Sequence, residues 1–183
     1  MEIKFTRADI IRIAINELYK NKMTYWFTSD SHFGHTNIIE YCKRPFKSVE
    51  QMNEVMIKKW NEKVKPTDTV FHLGDFSFRG GFQQYKNRLN GTIVLLAGNH
   101  DETSFSIIRN LTIKHGGKEF YLTHVPPENQ IKDFCLCGHV HGKWKSKKNG
   151  NKIMVNVGVD VWNFEPISIK SILEEIERLQ REK

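Results

Sequence analysis

Apolar and polar positions divide this chain into stretches of different period. Ile11, Ala14, Ile15 and Leu18 recur at helical spacing and form one apolar stripe. Thr6 stands at a cap position with Asp9 three residues on, and Phe5 and Ile10 occupy staple positions. Residues 1–22 are therefore expected to form an amphipathic helix that ends at Asn21-Lys22. A second helix is expected from about Ser48 to Lys63, with Ser48 and Gln51 as a capping box and Met52, Val55, Met56 and Trp60 as its stripe. Phe82 to Leu89 reads as a short helix, and 172–181 as a last one capped by Ser171 and Glu174.

Three compact apolar runs lie between these segments: Tyr25–Thr28, Val70–Leu73 and Ile93–Ala97. Each stops at a polar cluster: Ser29-Asp30-Ser31-His32, Gly74-Asp75 and Gly98-Asn99-His100-Asp101. Strands alternating with helices predict an α/β sheet, in which ligands bind at the carboxyl ends of the strands. The second half changes character. Its strand candidates are short and close together, at 111–114, 119–123, 134–137, 144–148, 152–157 and 166–170, and Asn149-Gly150 signals a hairpin.

Bulk properties narrow the class. A chain of 183 residues suits one domain with a core of its own. With 39% hydrophobic and 27% charged residues it reads as globular. No apolar run approaches the roughly 18 residues that span a bilayer, and Met1-Glu2-Ile3-Lys4 opens no signal peptide, so no membrane is expected. Cys42 stands alone, and Cys135 and Cys137 would share one strand face without zinc-knuckle spacing. Buried reduced thiols and a cytoplasmic location are expected. The net charge of +7 favours anionic partners, phosphate esters and nucleic acids among them.

Taken singly, the polar clusters say little. Asp30-x-His32 would put two metal-capable side chains on one side of an extended segment, and so would His139-x-His141 within Gly138-His139-Val140-His141-Gly142. A lone His124 is more often structural. In order, however, Asp30-x-His32, Gly74-Asp75, Gly98-Asn99-His100-Asp101, His124 and Gly138-His139-x-His141 resemble the motif series of the calcineurin-like metallophosphoesterases. Gly74 to Gly80 also resembles the Gly-Asp-x-x-x-Arg-Gly of the protein-phosphatase branch, and Asp30 to Asn37 the Asp-x-His-Phe-Gly-His-x-Asn of small phage and bacterial members.

The chemistry of such a family agrees with these residue types. A phosphate ester is a poor electrophile because its oxygens repel hydroxide. Two cations roughly 3.5–4 Å apart neutralise those oxygens and acidify a water. Imidazole suits Mn, Fe, Ni or Zn, and carboxylate and amide oxygens suit harder ions.

The resemblance implies a four-layer α-β-β-α sandwich of two mixed β-sheets over residues 23–183, with residues 1–22 as an added helical extension. It implies hydrolysis of a phosphomonoester or phosphodiester by a metal-bridging hydroxide, with two divalent ions (Mn, Fe, Ni or Zn, with Mn favoured in vitro). Asp30, His32, Asp75 and His141 would hold the first ion, with Asp75 bridging, and Asn99, His124 and His139 would complete the second. His100 would protonate the leaving oxygen, Asp101 would orient it, and Arg79 would grip a phosphate oxygen.

Other residues have two readings. His35 and Asn37 either border the site and touch substrate, or start a helix with Thr36 or Asn37 as cap. His72 reads as structural, and His115 beside Gly116-Gly117 as an exposed turn residue. Lys143, Lys145, Lys147, Lys148 and Lys152 around Trp144 either steer a nucleic acid or guard a sheet edge. Asn156 and Asp160 either support the site or simply make a turn, and Pro126-Pro127-Glu128-Asn129 is a stiff loop after His124. The expected partner is a phosphate-ester substrate, a nucleotide or nucleic acid being one class. The extension at 1–22 is a candidate for self-association. A fold relative that has lost the reaction and serves as a binding or scaffold protein is the alternative.

Overall fold

The computed structural model describes residues 24–78, 81–101 and 108–182. The helix expected at residues 1–22 lies outside them.

Strands β1 (Tyr25–Thr28), β2 (Thr69–His72) and β3 (Thr92–Leu95) are the three apolar runs of the first half, and they pair in parallel in the order β3-β2-β1. Thr28, His72 and Leu95 stand in one register, so the three polar clusters leave the sheet at the same edge. Parallel neighbours need crossovers. These are supplied by α1 (Ile38–Tyr41) and α2 (Val49–Lys63) between β1 and β2, and by α3 (Phe82–Lys86) between β2 and β3.

Helix α2 begins as its capping residues predict. Ser48 Oγ accepts the Gln51 N–H at 3.2 Å, while the Gln51 side chain accepts the Lys47 N–H at 2.7 Å, one residue earlier than the capping box requires. Its buried stripe is Met52, Met56, Ile57 and Trp60, with Val55 only half-buried. Each such side chain contributes on the order of 1.5–3 kcal/mol by leaving water. The stripe packs on Val70 and Leu95 of the sheet and on Phe33 and Phe76 of the strand-end loops.

The second sheet contains β4 (Asn110–His115), β5 (Lys118–Thr123), β6 (Phe134–Cys137), β7 (Ser146–Asn149) and β8 (Lys152–Asn156), in the order β4-β5-β6-β8-β7. It is mixed, with β5-β6 and β6-β8 parallel and both hairpins antiparallel. The β7–β8 turn is shifted by one residue from the Asn-Gly signal. Asn149 pairs with Lys152 as strand, and Gly150 takes φ +58° at the first loop position. A short β9 (Ile167–Ser168) runs antiparallel beside β1, and α4 (Ile169–Arg181) follows it directly.

The cap of this last helix is Ser168, whose Oγ accepts the Ser171 N–H at 3.1 Å; the expected cap at Ser171 is corrected. Ile167 and Ile169 alternate like a strand. Ile169, however, is the first member of a helical stripe with Ile172, Ile176 and Leu179, and burial of that stripe decides the conformation.

The sheets face each other across Phe27, Phe71 and Leu73 on one side and Phe120, Leu122, Leu136, Ile153 and Val155 on the other. Helix α4 closes the margin where β1 and β9 meet β7 and β8. Two mixed sheets packed face to face with helices against them form the expected architecture.

His72 is wholly buried, with Nε2 2.8 Å from Ser31 Oγ, and burial pushes its imidazole down to about 3. His115 is corrected from exposed to half-buried, since its ring meets Tyr25 at 6.1 Å. Cys42, Cys135 and Cys137 are free, the last two fully buried. No described helix is long and apolar enough to cross a membrane.

Candidate metal centre

The strand-end loops are laced together by their main chains. Asp30 N–H donates to Gly74 O, and His32 N–H to Asp75 O, both at 3.0 Å, so the first two clusters run side by side. Gly138 N–H donates to His124 O at 2.9 Å, and His139 N–H reaches both Asp30 carboxylate oxygens at 3.0 and 2.9 Å. Close approach demands glycine here. A Cβ on Gly138 would lie 2.0 Å from Ser29 Oγ, and one on Gly98 would lie 2.2 Å from Asp75 Oδ1.

The two Asp/His-x-His segments are not extended. Asp30, His32, Asp75, His139 and His141 all take left-handed φ, at 58°, 51°, 55°, 69° and 48°. This corrects the extended geometry expected from their spacing. A left-handed residue costs on the order of 1–2 kcal/mol, and five around one point mark a place where tertiary contacts override local preference. Each turns the chain sharply, so that side chains from separate loops converge.

They converge on two overlapping groups. The ligand atoms of Asp30, His32 and His141 lie within 4.8 Å of one another, and so do those of Asp30, Asp75 and His124. Asp75 Oδ2 stands 3.4 Å from His32 Nε2 and 3.4 Å from His124 Nε2. Both of these Nε2 atoms are buried and have no hydrogen-bond partner among the described residues. His124 Nδ1 lies 2.8 Å from Leu73 O, a pure acceptor, so Nδ1 carries the proton and Nε2 presents a lone pair inward. His141 is arranged alike, with Nδ1 2.9 Å from Asp160 Oδ2. Buried imidazole lone pairs facing buried carboxylates, with the outer nitrogens tied back, are a fit for divalent cations.

Electrostatics point the same way. Burial drives Asp30 up to about 6, against the pull of His124 and His141. Burial drives His32 down to about 3. At Asp75 burial raises the pKa, but His124, the His100 N–H and His32 outweigh it and hold the carboxyl below its usual range. At His141 burial is outweighed by the Asp160 hydrogen bond, which takes the imidazolium up to about 10. A cation must therefore displace protons from Asp30 and His141. Its affinity should rise by up to about tenfold per pH unit between about 6 and about 10, where only His141 gives up a proton, and by up to about a hundredfold per unit below about 6, where Asp30 does so too. Calorimetric titrations in buffers of different ionisation enthalpy should show proton release. A flat affinity between pH 5 and 8 would contradict the proton displacement.

The remaining expected site residues sit around this centre. The His139 ring is 5.2 Å from that of His124 but outside the two tight groups, and Asn99 lies on the exposed loop after β3. The exposed His100 has its ring 5.6 Å from that of His32, and its main-chain N–H donates to Asp75 Oδ1 at 2.9 Å. Asp101 faces main-chain groups. Its carboxylate accepts the N–H groups of Asp75, Phe76 and Gly98 at 2.7–2.9 Å, so it shapes the Asp75 loop, and no described bond joins it to the His100 ring. Arg79 lies outside the described residues. His35 stacks on Phe78 at 4.3 Å, 5.6 Å from the His32 ring, with a buried and unpartnered Nδ1. Asn37 occupies the N-cap of α1 without capping it, its amide reaching Tyr41 Oη at 3.5 Å instead.

Asp160 and Asn156 both hold His141. Asp160 accepts from its ring, and Asn156 Nδ2 donates to its carbonyl at 2.8 Å. The buried Arg44, bonded to Asp160, Asp30 and Ser31, is a residue that sequence reasoning missed, because an arginine before Pro45 carries no pattern of its own. Lys143 follows His141 by two residues, and burial, aided by its charge, holds His139 below the usual range, whereas Lys147, Lys148 and Lys152 lie elsewhere. β7 is an edge strand, Lys147 Nζ sits 4.8 Å over Trp144, and Lys145 Nζ sits 3.9 Å over Trp162. Pro127, Glu128 and Asn129 line a cleft of about 310 Å³ with Lys147, Lys148 and Lys152, and no candidate ligand faces it.

Comparison with known proteins agrees with the geometry. The profile of the calcineurin-like phosphoesterase superfamily domain matches residues 23–172. An uncharacterized protein of Methanocaldococcus jannaschii is 35% identical over 163 residues, spanning 84% of this chain and 91% of that one. The crystal structure of a protein of unknown function from Aquifex aeolicus superposes with a TM-score of 0.68 at 27% identity, over 84% of this chain and 99% of that one. Vps29 of Chaetomium thermophilum shares the fold, with a TM-score of 0.50 at 12% identity over 75% of this chain and 74% of its own. With the motif series, the fold and the convergent ligand groups in agreement, this chain belongs to the calcineurin-like phosphoesterase superfamily.

Proposed function

We propose that this protein hydrolyses phosphate monoesters or diesters with two divalent ions. The observation that carries this reading is the pair of buried, unpartnered Nε2 atoms on His32 and His124, each 3.4 Å from the same Asp75 oxygen. Asp30, His32, Asp75 and His141 would hold one ion, and Asp75, Asn99, His124 and His139 the other. Bound there, the pair supplies positive charge for the phosphate oxygens and acidifies a water near neutral pH.

The chain's own residues have distinct tasks. The Asp75 loop is fixed from behind by Asp101, which occupies the N–H groups of Asp75 and Phe76. His100 stands at the exposed rim next to His32, where its ring can give a proton to the leaving oxygen. His35, on its Phe78 platform, presents a second imidazole at the same rim and is placed to touch substrate. Arg79 would supply a guanidinium for a phosphate oxygen.

The test is hydrolysis of bis-p-nitrophenyl phosphate and p-nitrophenyl phosphate by metal-stripped protein with Mn²⁺, Ni²⁺ or Zn²⁺ restored. Metal-dependent turnover is expected, and the diester-to-monoester ratio defines the substrate class. Protein that binds two ions but turns over neither substrate with any metal would favour the binding or scaffold reading. An oligonucleotide substrate whose KM climbs with salt, less steeply once Lys147 and Lys148 are neutralised, would extend the function to nucleic acids.

A further inference from the structure

Arg44 bonds the main chain of Asp30 and Ser31 directly and reaches His141 through Asp160. It follows Lys43, which turns the chain with φ +51°, and its side chain is completely buried. Each of its five guanidinium N–H donors is matched by an acceptor. Nε donates to Asp160 Oδ1 at 2.8 Å, and Nη2 donates to Asp160 Oδ2 at 3.0 Å and to Asp30 O at 2.7 Å. Nη1 donates to Ser31 O at 3.0 Å and to Met52 Sδ at 3.4 Å. Asp160 passes the connection on, because its Oδ2 is 2.9 Å from His141 Nδ1.

One buried cation thus grips the main chain between Asp30 and His32, and through one carboxylate sets the ring of His141. Those three side chains form the first ligand group. Among the described residues no hydrogen bond joins Arg44 to Asn99, His124 or His139. The ligand atoms of Cys42, His141 and Asp160 also lie within 4.8 Å of one another. That group is a hydrogen-bonded junction rather than a third ion site, since both Asp160 oxygens are engaged by Arg44.

We propose that Arg44 and Asp160 are positioning residues that set the affinity of the first metal site and leave the second unaffected. This rests on the two-ion reading given above. A planar guanidinium fork fixes the plane of the carboxylate it grips, and that carboxylate fixes the tautomer and tilt of His141. A lysine has three donors on one atom and cannot bond Asp160 twice while also reaching two carbonyls. Asn in place of Asp160 can still accept from Arg44. Its NH₂ group, however, would face His141 Nδ1 and move the imidazole proton to Nε2, where the ion must bind.

The test is calorimetric titration of Mn²⁺ into metal-stripped, full-length protein, with circular dichroism melts to establish folding. Wild type should take two ions. Arg44→Lys and Asp160→Asn should each weaken one of them about 10–100-fold and leave the other unchanged. In a His124→Ala background, with the second site disabled, the remaining affinity should fall by the same factor. In a His32→Ala background it should not move. Equal weakening at both sites, or none, overturns the assignment. Should Arg44→Lys fail to fold, Asp160→Asn alone decides, since it preserves shape and the Arg44 Nε bond. A wild type that binds fewer than two ions defeats the two-ion reading and this proposal with it. Two ions bound alike by wild type and variants defeat only the proposal.

Discussion

Replacing Asp75 with asparagine should strip the protein of both ions and of nearly all turnover. The two sides of the centre meet at this residue. Its Oδ2 lies 3.4 Å from the inward nitrogens of both His32 and His124, and its Oδ1 accepts the His100 N–H at 2.9 Å. An amide has the same shape but no charge, and it can present N–H groups to imidazole lone pairs that wait for a cation. The ion pair contributes several kcal/mol of charge stabilisation. At about 1.4 kcal/mol per decade the loss should be roughly 10³-fold or more. Metal content by elemental analysis and the rise in melting temperature on adding Mn²⁺ are the direct measures. Wild type should be stabilised by bound metal and Asp75→Asn should not. An Asp75→Asn protein that still bound two ions tightly would remove Asp75 from the bridging position.

The second large effect is expected at His100, with the opposite signature. His100→Gln should keep both ions and lose about 10²–10⁴ in rate, the range of general-acid catalysis. His100 supports Asp75 only through its main-chain N–H, which any residue supplies, so removing the imidazole leaves the ligand arrangement alone. The loss should shrink with substrates whose leaving groups need no proton, such as p-nitrophenol. Metal loss in this variant would place His100 among the ligands and end its assignment as proton donor. A similar rate loss with alkyl and aryl leaving groups would instead argue for electrostatic support of the phosphate.

These expectations were legible early because the chemistry sits where the hydrophobic pattern breaks. Tyr25–Thr28, Val70–Leu73 and Ile93–Ala97 are short apolar runs that read as strands by their length, and the clusters that end them come out at one edge. Ser48 and the α2 stripe were readable because capping and burial are local in sequence. The last helix was harder. Ile167 and Ile169 serve two periods at once, and only the packing of Ile169, Ile172, Ile176 and Leu179 chooses between them. The hairpin signal at Asn149-Gly150 was right in kind and off by one residue, since strand register extends Asn149 into β7.

The order of the Asp, Asn and His clusters and the α/β class were readable in the sequence itself, because residue type and the two periods of regular structure are written along the chain. The ligand set and the layered architecture came from the resemblance of that ordered series to a known family. How those ligands meet was decided by tertiary structure. Nothing local predicts left-handed φ at Asp30, His32, Asp75, His139 and His141, because an isolated chain would avoid that conformation; neighbouring loops impose it. Nothing local sends Arg44 to Asp160, 116 positions away, or turns Asp101 from His100 toward three main-chain N–H groups. Hydrogen bonds across such separations have no periodicity. They exist only once the sheets have packed and buried groups must find partners.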